Sequence, residues 1–182
     1  MMNEKAIIQQ LRSGDIQALK EIWDANSTNV LNLAFRMLLD RDSAEDILMD
    51  VFAGLPDTIA NFRGEASLST WLYRLTKNAC LMKLRSGKRH LEIIDGNRGE
   101  VSEYSVGADT PEMSSIDSES LQRGLAVLTP EVRSLLWLKD AEGLDLKSLT
   151  AIFEAPEGTL KARLSRARAQ VRSMLQKEMN YA

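Results

Sequence analysis

The feature that most constrains this chain is the recurrence of apolar residues at every third or fourth position over long stretches. The strict alternation of apolar and polar residues that is typical of strands is almost absent. One such stretch runs from Asp15 to about Leu39, and its apolar positions fall on one side of a helix. They are Ile16, Leu19, Ile22, Trp23, Val30, Ala34, Met37 and Leu38. Asp15 follows Gly14 and is the predicted N-cap of this helix. The pattern predicts an all-α fold.

Three further helices complete the N-terminal part. A short one is predicted from about Glu4 to Arg12. Another begins near Ser43 and should kink or end at Gly54 and Pro56; its apolar stripe is Ile47, Leu48, Val51, Phe52 and Leu55. A long one is predicted from Ser67 to about Arg89, with Leu68, Trp71, Leu72, Leu75, Ala79 and Leu84 as its stripe. Together they predict one helical domain over residues 1–90.

The pattern changes after residue 90. Residues 91–118 have little periodicity, are interrupted by glycine, proline and serine, and are strongly acidic. This composition is typical of a flexible linker. A tether is the simpler interpretation, and an acidic segment that occupies a basic channel on a partner is the alternative. The sequence therefore predicts two small helical domains, residues 1–90 and 119–182, joined by this linker.

The second domain has the layout of a helix-turn-helix. Leu121, Leu125 and Leu128 form a stripe that ends at Thr129-Pro130, and a second helix runs from there to Gly143. The next helix carries Leu146, Leu149, Ile152 and Phe153, and a turn at residues 154–156 leads to a last helix from about Glu157 to Glu178. Two short helices joined by a tight turn are the core of many DNA-binding domains.

Charge is sorted into blocks along the chain. The net charge is -3, yet residues 63–90 hold 7 basic side chains against 1 acidic one, and residues 91–120 hold 1 basic side chain against 8 acidic ones.

In the last helix, Lys161, Ser165, Arg168 and Arg172 lie away from the apolar stripe, with Arg163 and Arg166 further round. A basic helix of this kind can lie in a major groove, with early residues on base edges and later arginines on phosphates.

The segment from Phe62 to Arg89 interleaves aromatic and basic residues. Separated DNA strands need a positive surface for the phosphates and aromatic faces for the bases, so this segment is predicted to bind opened DNA. Asn78 could hydrogen-bond a base edge. Trp71 and Tyr73 lie about 200° apart on a helix, so we expect one in the core and the other exposed.

A third segment, DSAEDILMDVF at residues 42–52, places Glu45, Asp46 and Asp50 beside Ile47, Val51 and Phe52. A helix with an acidic rim and an apolar centre suits a basic partner helix, although a solvated acidic face is the commoner case.

Several classes of function lack any sequence support. No glycine loop for nucleotides, no His/Cys metal spacing and no nucleophile with a nearby base is found, so we expect no enzyme activity, cofactor or metal. Cys80 is expected to be a small buried residue, and His90, beside Lys88 and Arg89, a surface one. No apolar run approaches the length of a membrane span, which predicts a cytoplasmic protein without membrane insertion.

Three segments, namely the acidic segment 42–52, the aromatic and basic segment 62–89 and the C-terminal helix-turn-helix, occur in this order. Together they resemble the extracytoplasmic-function (ECF) sigma factors of the sigma-70 family. DSAEDILMDVF is similar to their polymerase-binding segment, and FRGEASLSTWLYRLTKNACLMKLR to their promoter-melting and minus-ten segment. LTPEVRSLLWLKDAEGL and APEGTLKARLSRARAQVRSML resemble their minus-thirty-five-binding domain. The resemblance implies a subunit that binds core RNA polymerase and promoter DNA and directs melting and transcription initiation.

The resemblance also implies roles for individual residues. The polymerase contact would use Glu45, Asp46, Asp50, Val51 and Phe52. Minus-ten recognition and melting would use Arg63, Trp71, Tyr73, Arg74, Lys77, Asn78, Lys83, Arg85, Lys88 and Arg89. Minus-thirty-five recognition would use Lys161, Arg163, Ser165, Arg166 and Arg168.

Two positions depart from the family pattern. Glu154 stands at the turn where similar proteins usually have glycine. If Glu154 adopts a left-handed conformation there, the strain is about 1 kcal/mol or more. A turn of a different shape is the alternative. Asp145-Leu146 replaces a commoner Ser-Tyr pair, but Asp145 can still cap the helix. Both bear on the docking angle of the second domain.

Two other functions remain as alternatives. One is a helix-turn-helix transcriptional regulator that acts without core polymerase, which leaves residues 62–89 unexplained. The other is a sigma-like protein-interaction module that reads no promoter. The long linker and the two binding faces also lead to the hypothesis that an anti-sigma factor sequesters the chain by clamping between its domains.

Overall fold

The computed structural model describes residues 4–95 and 125–181, and for residues 88–95 and 178–181 it describes the backbone alone. The chain divides into two compact units, 1–106 and 107–182. Every regular element within the described ranges is helical, which confirms the predicted all-α fold. The predicted linker lies outside the described residues except for its first five positions, and so does most of the helix predicted around Leu121.

The N-terminal unit contains five α-helices within the described range and a 3-10 turn at Ile59–Asn61. They are α1 (Glu4–Arg12), α2 (Ile16–Leu38), α3 (Arg41–Ala53), α4 (Leu55–Thr58) and α5 (Leu68–Asp95). Helices α2, α3 and α5 pack against one another, and α1 packs against α2 and the 3-10 turn. The core of this unit includes Ile22, Leu33, Met37 and Leu72, which are at most 1% exposed. Each such side chain stabilises the fold by about 1.5–3 kcal/mol.

The starts and ends of these helices follow from local side-chain chemistry. Asp15 caps α2, because its carboxylate accepts a hydrogen bond from the Gln17 amide at 2.8 Å, and this prediction is confirmed. Helix α3 begins two residues earlier than predicted, because Asp40 accepts from the Ser43 amide and acts as the cap. Hydrogen bonds from the Ser43 side chain and amide lower the pKa of Asp40. Helix α3 ends before Gly54, as predicted.

Helix α5 is longer than predicted. It continues to Asp95 rather than ending near Arg89. The reason is visible in the sequence, since no glycine or proline interrupts the chain between Gly87 and Gly96 and Leu91 and Glu92 form helices readily. The helix therefore extends into the segment predicted as linker.

Cys80 lies on the buried side of α5. It is 0% exposed, which confirms the predicted buried apolar role. Desolvation raises the pKa of its thiol to about 12. The side chain is therefore a neutral packing group at physiological pH and not a nucleophile.

The C-terminal unit contains three described helices that pack against one another: α6 (Pro130–Asp140), α7 (Leu146–Phe153) and α8 (Glu157–Tyr181). Leu138, Leu149, Ile152 and Leu160 are fully buried between them. Helices α7 and α8 and their three-residue turn form the predicted helix-turn-helix. Asp145 caps α7 by accepting from the Ser148 amide at 2.7 Å, as predicted, and this hydrogen bond lowers the pKa of Asp145.

The turn between α7 and α8 depends on an unusual backbone conformation. Glu154 has φ 51° and ψ 40°, in the left-handed region, and its amide bonds the Thr150 carbonyl at 2.9 Å. Glu154 therefore adopts the left-handed conformation for which glycine is convenient. Residues other than glycine, asparagine and aspartate rarely adopt it, so the turn stores strain.

Replacing Glu154 with glycine should relieve this strain. Glu154→Gly is expected to raise the free energy of unfolding of the C-terminal unit by about 0.5–1 kcal/mol, because the removed strain exceeds the added freedom of the unfolded chain. Ala141→Gly is the control, since Ala141 ends α6 in the right-handed region. Thermal unfolding should show stabilisation in the first variant only. Equal or opposite shifts would contradict a strained turn.

Candidate nucleic-acid interface

One face of α5 is exposed and basic. Arg74, Asn78, Met82 and Arg85 follow one another at spacings of four, four and three residues, which places them on a single helix face. Asn78 and Arg85 are exposed, Arg74 is half-buried, and Met82 is 69% exposed. This face, called the α5 stripe below, combines donors for phosphates, an amide that can read a base edge, and an apolar side chain that can pack on a base.

The expectation that one of Trp71 and Tyr73 would be exposed is wrong. Trp71 is 7% exposed and Tyr73 5%. Their directions do differ by about 200°, but the segment before α5 folds back over Trp71, and the Phe62 ring packs edge-on against it at a centroid distance of 5.3 Å. Neither ring is available for stacking on a base in this conformation. Both support the helix that carries the stripe.

The other predicted residues of this region lie in different environments. Arg63 is exposed on the loop before α5. Lys77 is only 4% exposed, so its side chain does not form part of the surface in this conformation. Lys83 is half-buried, and its ammonium lies 2.9 Å from a carboxylate oxygen of Asp46. The side chains of Lys88 and Arg89, and that of His90, lie outside the described residues.

An acidic face on α3 lies next to α5 in the same bundle. Glu45, Asp46 and Asp50 are exposed, and Glu45 pairs with Arg41 within the helix at 2.9 Å. Met49 lies between them, three residues after Asp46, and is 58% exposed. Sequence reasoning missed Met49, although a helical wheel of residues 42–53 places it at the centre of the acidic positions. We call these four residues the α3 face.

The prediction that Val51 and Phe52 form the apolar centre of this face needs correction. Val51 is 8% exposed and Phe52 is 3% exposed. The Phe52 ring packs edge-on against Trp23 of α2 at 4.7 Å between centroids. Their side chains point into the bundle because α2 and α5 cover that side of α3. Met49 supplies the exposed apolar group instead.

In the C-terminal unit, the predicted recognition residues lie on the outside of α8. Lys161, Ser165 and Arg166 are exposed and Arg163 is half-buried, while Leu160, Leu164 and Ala167 face the core. Lys161 pairs with Glu157 one turn earlier. The first three turns of α8 thus offer a mixed basic and hydroxyl surface on their exposed side, a composition suited to phosphates and base edges in a major groove.

Arg168 differs from its neighbours because it bridges two helices. Its Nε and Nη2 donate to the two carboxylate oxygens of Asp140 in α6, at 3.1 and 2.6 Å. Hydrogen bonding to Asp140 raises the pKa of Arg168. This two-point contact joins α8 to α6 across 28 residues of sequence, so Arg168 helps to orient α8 and is not simply a solvated phosphate contact.

The fold and these surfaces define a class of protein: a two-unit helical nucleic-acid binder with a basic α5 stripe, an acidic α3 face and a separate helix-turn-helix. Residues 22–90 match Sigma-70 region 2, and residues 118–171 match Sigma-70, region 4. The chain belongs to the sigma-70 family, in its ECF group.

Several relatives match this chain over nearly its whole length. The ECF RNA polymerase sigma-E factor of Haemophilus influenzae is 27% identical, with 96% of each chain covered. The ECF RNA polymerase sigma factor SigW of Bacillus subtilis is 29% identical, with 94% of this chain and 96% of that one covered. The sigma factor RpoE of Bartonella quintana, solved with the anti-sigma factor NepR, shares the fold with a TM-score of 0.74 at 24% identity, over 86% of this chain and 96% of that one.

The bridge between Arg168 and Asp140 should have a measurable coupling energy. We expect a double-mutant cycle with Arg168→Ala and Asp140→Ala to give a coupling of about 0.5–1 kcal/mol in dilute buffer, because both side chains are about half exposed and screened by solvent. Urea unfolding of the four proteins measures it. The Glu157–Lys161 pair within α8 is the control and should give less. A coupling energy of zero, or a coupling energy that does not weaken with added salt, would show that no ion pair with Asp140 holds Arg168.

Proposed function

We propose that this chain is a sigma factor that binds core RNA polymerase and directs promoter recognition, DNA melting and transcription initiation. It is an initiation factor rather than an enzyme. The observation that carries the proposal is that one unit presents the α3 face and the α5 stripe side by side, while the other presents a helix-turn-helix. A protein that brings polymerase to a promoter and opens it needs all three surfaces.

The α3 face is proposed to bind the polymerase. Asp46 and Asp50 offer carboxylates to basic groups on the partner, and Glu45 extends the acidic surface. Met49 provides an apolar anchor between them, since interfaces are held most strongly by a desolvated apolar centre within a charged rim. Val51 and Phe52 keep α3 in place by packing beneath this surface.

The α5 stripe is proposed to hold the opened minus-ten element. Arg63, Arg74, Lys83 and Arg85 would contact phosphates, and Asn78 would read a base edge. Trp71, Tyr73 and Lys77 are buried in the free chain, so their proposed role is to support the helix. Trp71 alone would become available to a base if DNA displaced the segment around Phe62, whose ring covers it. Lys88 and Arg89 would extend the basic surface. Unstacking a base costs a few kcal/mol, which binding elsewhere in the complex must offset.

Helix α8 is proposed to read the minus-thirty-five element through Lys161, Arg163, Ser165 and Arg166. Arg168 is assigned a positioning role through Asp140 and can reach a phosphate only if that bridge opens. The strained turn at Glu154 sets the angle between α7 and α8, and therefore the depth at which α8 enters the groove.

The two alternative functions explain less of the chain. A regulator that acts without polymerase would have no use for the α3 face or the α5 stripe. A protein-interaction module would have no use for the exposed side of α8. The family membership and the full-length similarity to ECF sigma factors favour the sigma function over both.

An anti-sigma factor is proposed as a further partner, and a cytoplasmic location with it. Two proteins of similar fold were solved in complex with such partners: the Bartonella quintana protein with NepR, and CnrH with the cytosolic domain of CnrY. No helix in the described part of this chain is long and apolar enough to cross a bilayer. Recovery of the protein from its host in an active, inhibitor-free form under all growth conditions would refute this partner.

Transcription in vitro with the host's core polymerase tests the proposed function. Adding the chain should give initiation at specific sites in a library of promoter-like DNA. Asp46→Arg combined with Asp50→Arg should lower the yield at limiting protein about tenfold or more, because both changes place repulsive charge on the α3 face. The matched control combines Asp24→Arg with Asp57→Arg, which alters the same number of exposed acidic residues in the same unit but outside the face.

Each other outcome has a definite meaning. Duplex binding by the chain without polymerase-dependent initiation would favour the transcriptional regulator. Polymerase binding with neither initiation nor DNA binding would favour the interaction module. An equal loss in the control variant would show that net charge matters and that the α3 face does not.

A further inference from the structure

Helix α1 lies outside the residues that match Sigma-70 region 2, which begin at residue 22. Its apolar side, Ile7, Ile8 and Leu11, is buried in the bundle. Its two ends carry opposite charges, Glu4 and Arg12. Both side chains reach the segment that connects α4 to α5, so α1 has polar contacts that the packing of its apolar side does not require.

Arg12 holds the beginning of this segment. Its Nη2 donates to the carbonyl oxygen of Phe62, and its Nε and Nη2 both lie 3.4 Å from the carbonyl oxygen of Ile59. Ile59 is the first residue of the 3-10 turn and Phe62 is the residue that follows it, where the chain leaves helical geometry. A guanidinium bound to both fixes the direction in which the chain leaves the turn. It also fixes the position of Phe62, whose ring covers Trp71.

Glu4 holds the end of the same segment. Its Oε1 accepts a hydrogen bond of 2.6 Å from the amide of Leu68, the first residue of α5. That amide has no partner within the helix, so the carboxylate acts as a cap that comes from 64 residues away. Ser67 adds a local cap by accepting from the Thr70 amide at 3.1 Å. The start of α5 is thereby fixed relative to α1.

Between these two anchors lies a short loop, residues 63–67. Four of its five residues are exposed and Ala66 is half-buried. Gly64 has φ +72°, a conformation that favours glycine, and Arg63 is the predicted DNA contact. A loop of five residues with both ends held by charged side chains of one helix has little freedom, and such preorganisation raises the selectivity of a binding loop.

We infer that α1 is a brace for loop 63–67, and that Glu4 and Arg12 are positioning residues that set base selectivity in the minus-ten element. This inference rests on the proposed function, since it requires loop 63–67 to lie against the opened strand beside the α5 stripe. The two side chains act through the loop backbone and do not themselves touch DNA. Their loss leaves every DNA-contacting side chain in place but lets the loop adopt other conformations.

The test compares base selectivity in the holoenzyme. Polymerase carrying the full chain is titrated with single-stranded oligonucleotides of its preferred minus-ten sequence and with each single-base substitution, and binding is followed by fluorescence anisotropy. The readout is the ratio of affinities for the best and the substituted base at each position. A partly unfolded sample lowers all affinities together and leaves this ratio unchanged, so the ratio separates positioning from stability.

We expect Glu4→Ala and Arg12→Ala to lower the ratio about threefold to tenfold at one or two neighbouring positions and to leave the others unchanged. Glu4→Gln keeps an acceptor oxygen and Arg12→Lys keeps a donor, so each should restore part of the selectivity. Lys5→Ala and Glu21→Ala are controls that remove exposed charges of the same sign from α1 and α2. If an alanine variant fails to fold, the Gln and Lys variants carry the same comparison.

Three outcomes would count against the inference. In the first, the wild-type holoenzyme is selective and the affinity ratios are unchanged in all four variants. This result would show that α1 is only structural support, and the proposed function would stand. A wild-type holoenzyme that prefers no base at any position would remove the proposed function and the brace together. Reduced ratios at all positions in the control variants as well would show a general charge effect and would also count against it.

Discussion

The structure of the N-terminal unit depends on the packing of α5 against α2 and α3. Leu72, Thr76 and Cys80 lie on the buried side of α5 and are at most 1% exposed. The Thr76 hydroxyl donates to the Leu72 carbonyl at 2.8 Å, so that this polar group is satisfied within the core. Because one side of the helix is fixed in this way, the opposite side presents Arg74, Asn78 and Arg85 in a constant arrangement. The proposed DNA-binding surface therefore rests directly on the core of this unit.

The same packing brings the two candidate surfaces of this unit into contact. Lys83 of α5 and Asp46 of α3 form an ion pair, although one is assigned to DNA and the other to polymerase. Exposed pairs of this kind contribute at most about 1 kcal/mol. If polymerase binds Asp46, the free energy lost by breaking this ion pair is therefore small, and Lys83 becomes available beside the α5 stripe. A chain with a net charge of -3 can bind DNA because its basic groups are concentrated on α5 and α8.

Local signals in the sequence were sufficient for most of the fold. Asp15 and Asp145 cap the helices that they precede and Gly54 ends α3, because each of these features depends on the chemistry of a few neighbouring residues. The resemblance to ECF sigma factors was carried by segments that are continuous in sequence. The order of the three functional segments could therefore be read without knowledge of the tertiary structure.

Met49, the Asp40 cap and the extension of α5 were missed although local sequence carries their signals, whereas the other missed features depend on contacts between distant residues. The position of Phe62 over Trp71 required knowledge of how the segment before α5 folds back, and the burial of Val51 and Phe52 required the position of α2. The bridge from Arg168 to Asp140 spans 28 residues, and the cap from Glu4 to Leu68 spans 64. The periodicity of apolar residues indicates the side of a helix on which a residue lies. It does not indicate which other segment of the chain packs against that side.

We propose above all that the exposed side of α5 holds separated DNA strands when the chain is bound to polymerase. Permanganate reactivity of promoter thymines, measured with polymerase and the chain together, tests it directly because only unpaired thymines react. The account predicts reactive thymines over the minus-ten region, and loss of this reactivity when Asn78→Ala and Arg85→Ala are combined while promoter-bound polymerase is retained. Thymines that stay equally reactive in this variant, or that never become reactive with the wild-type chain, would contradict the account.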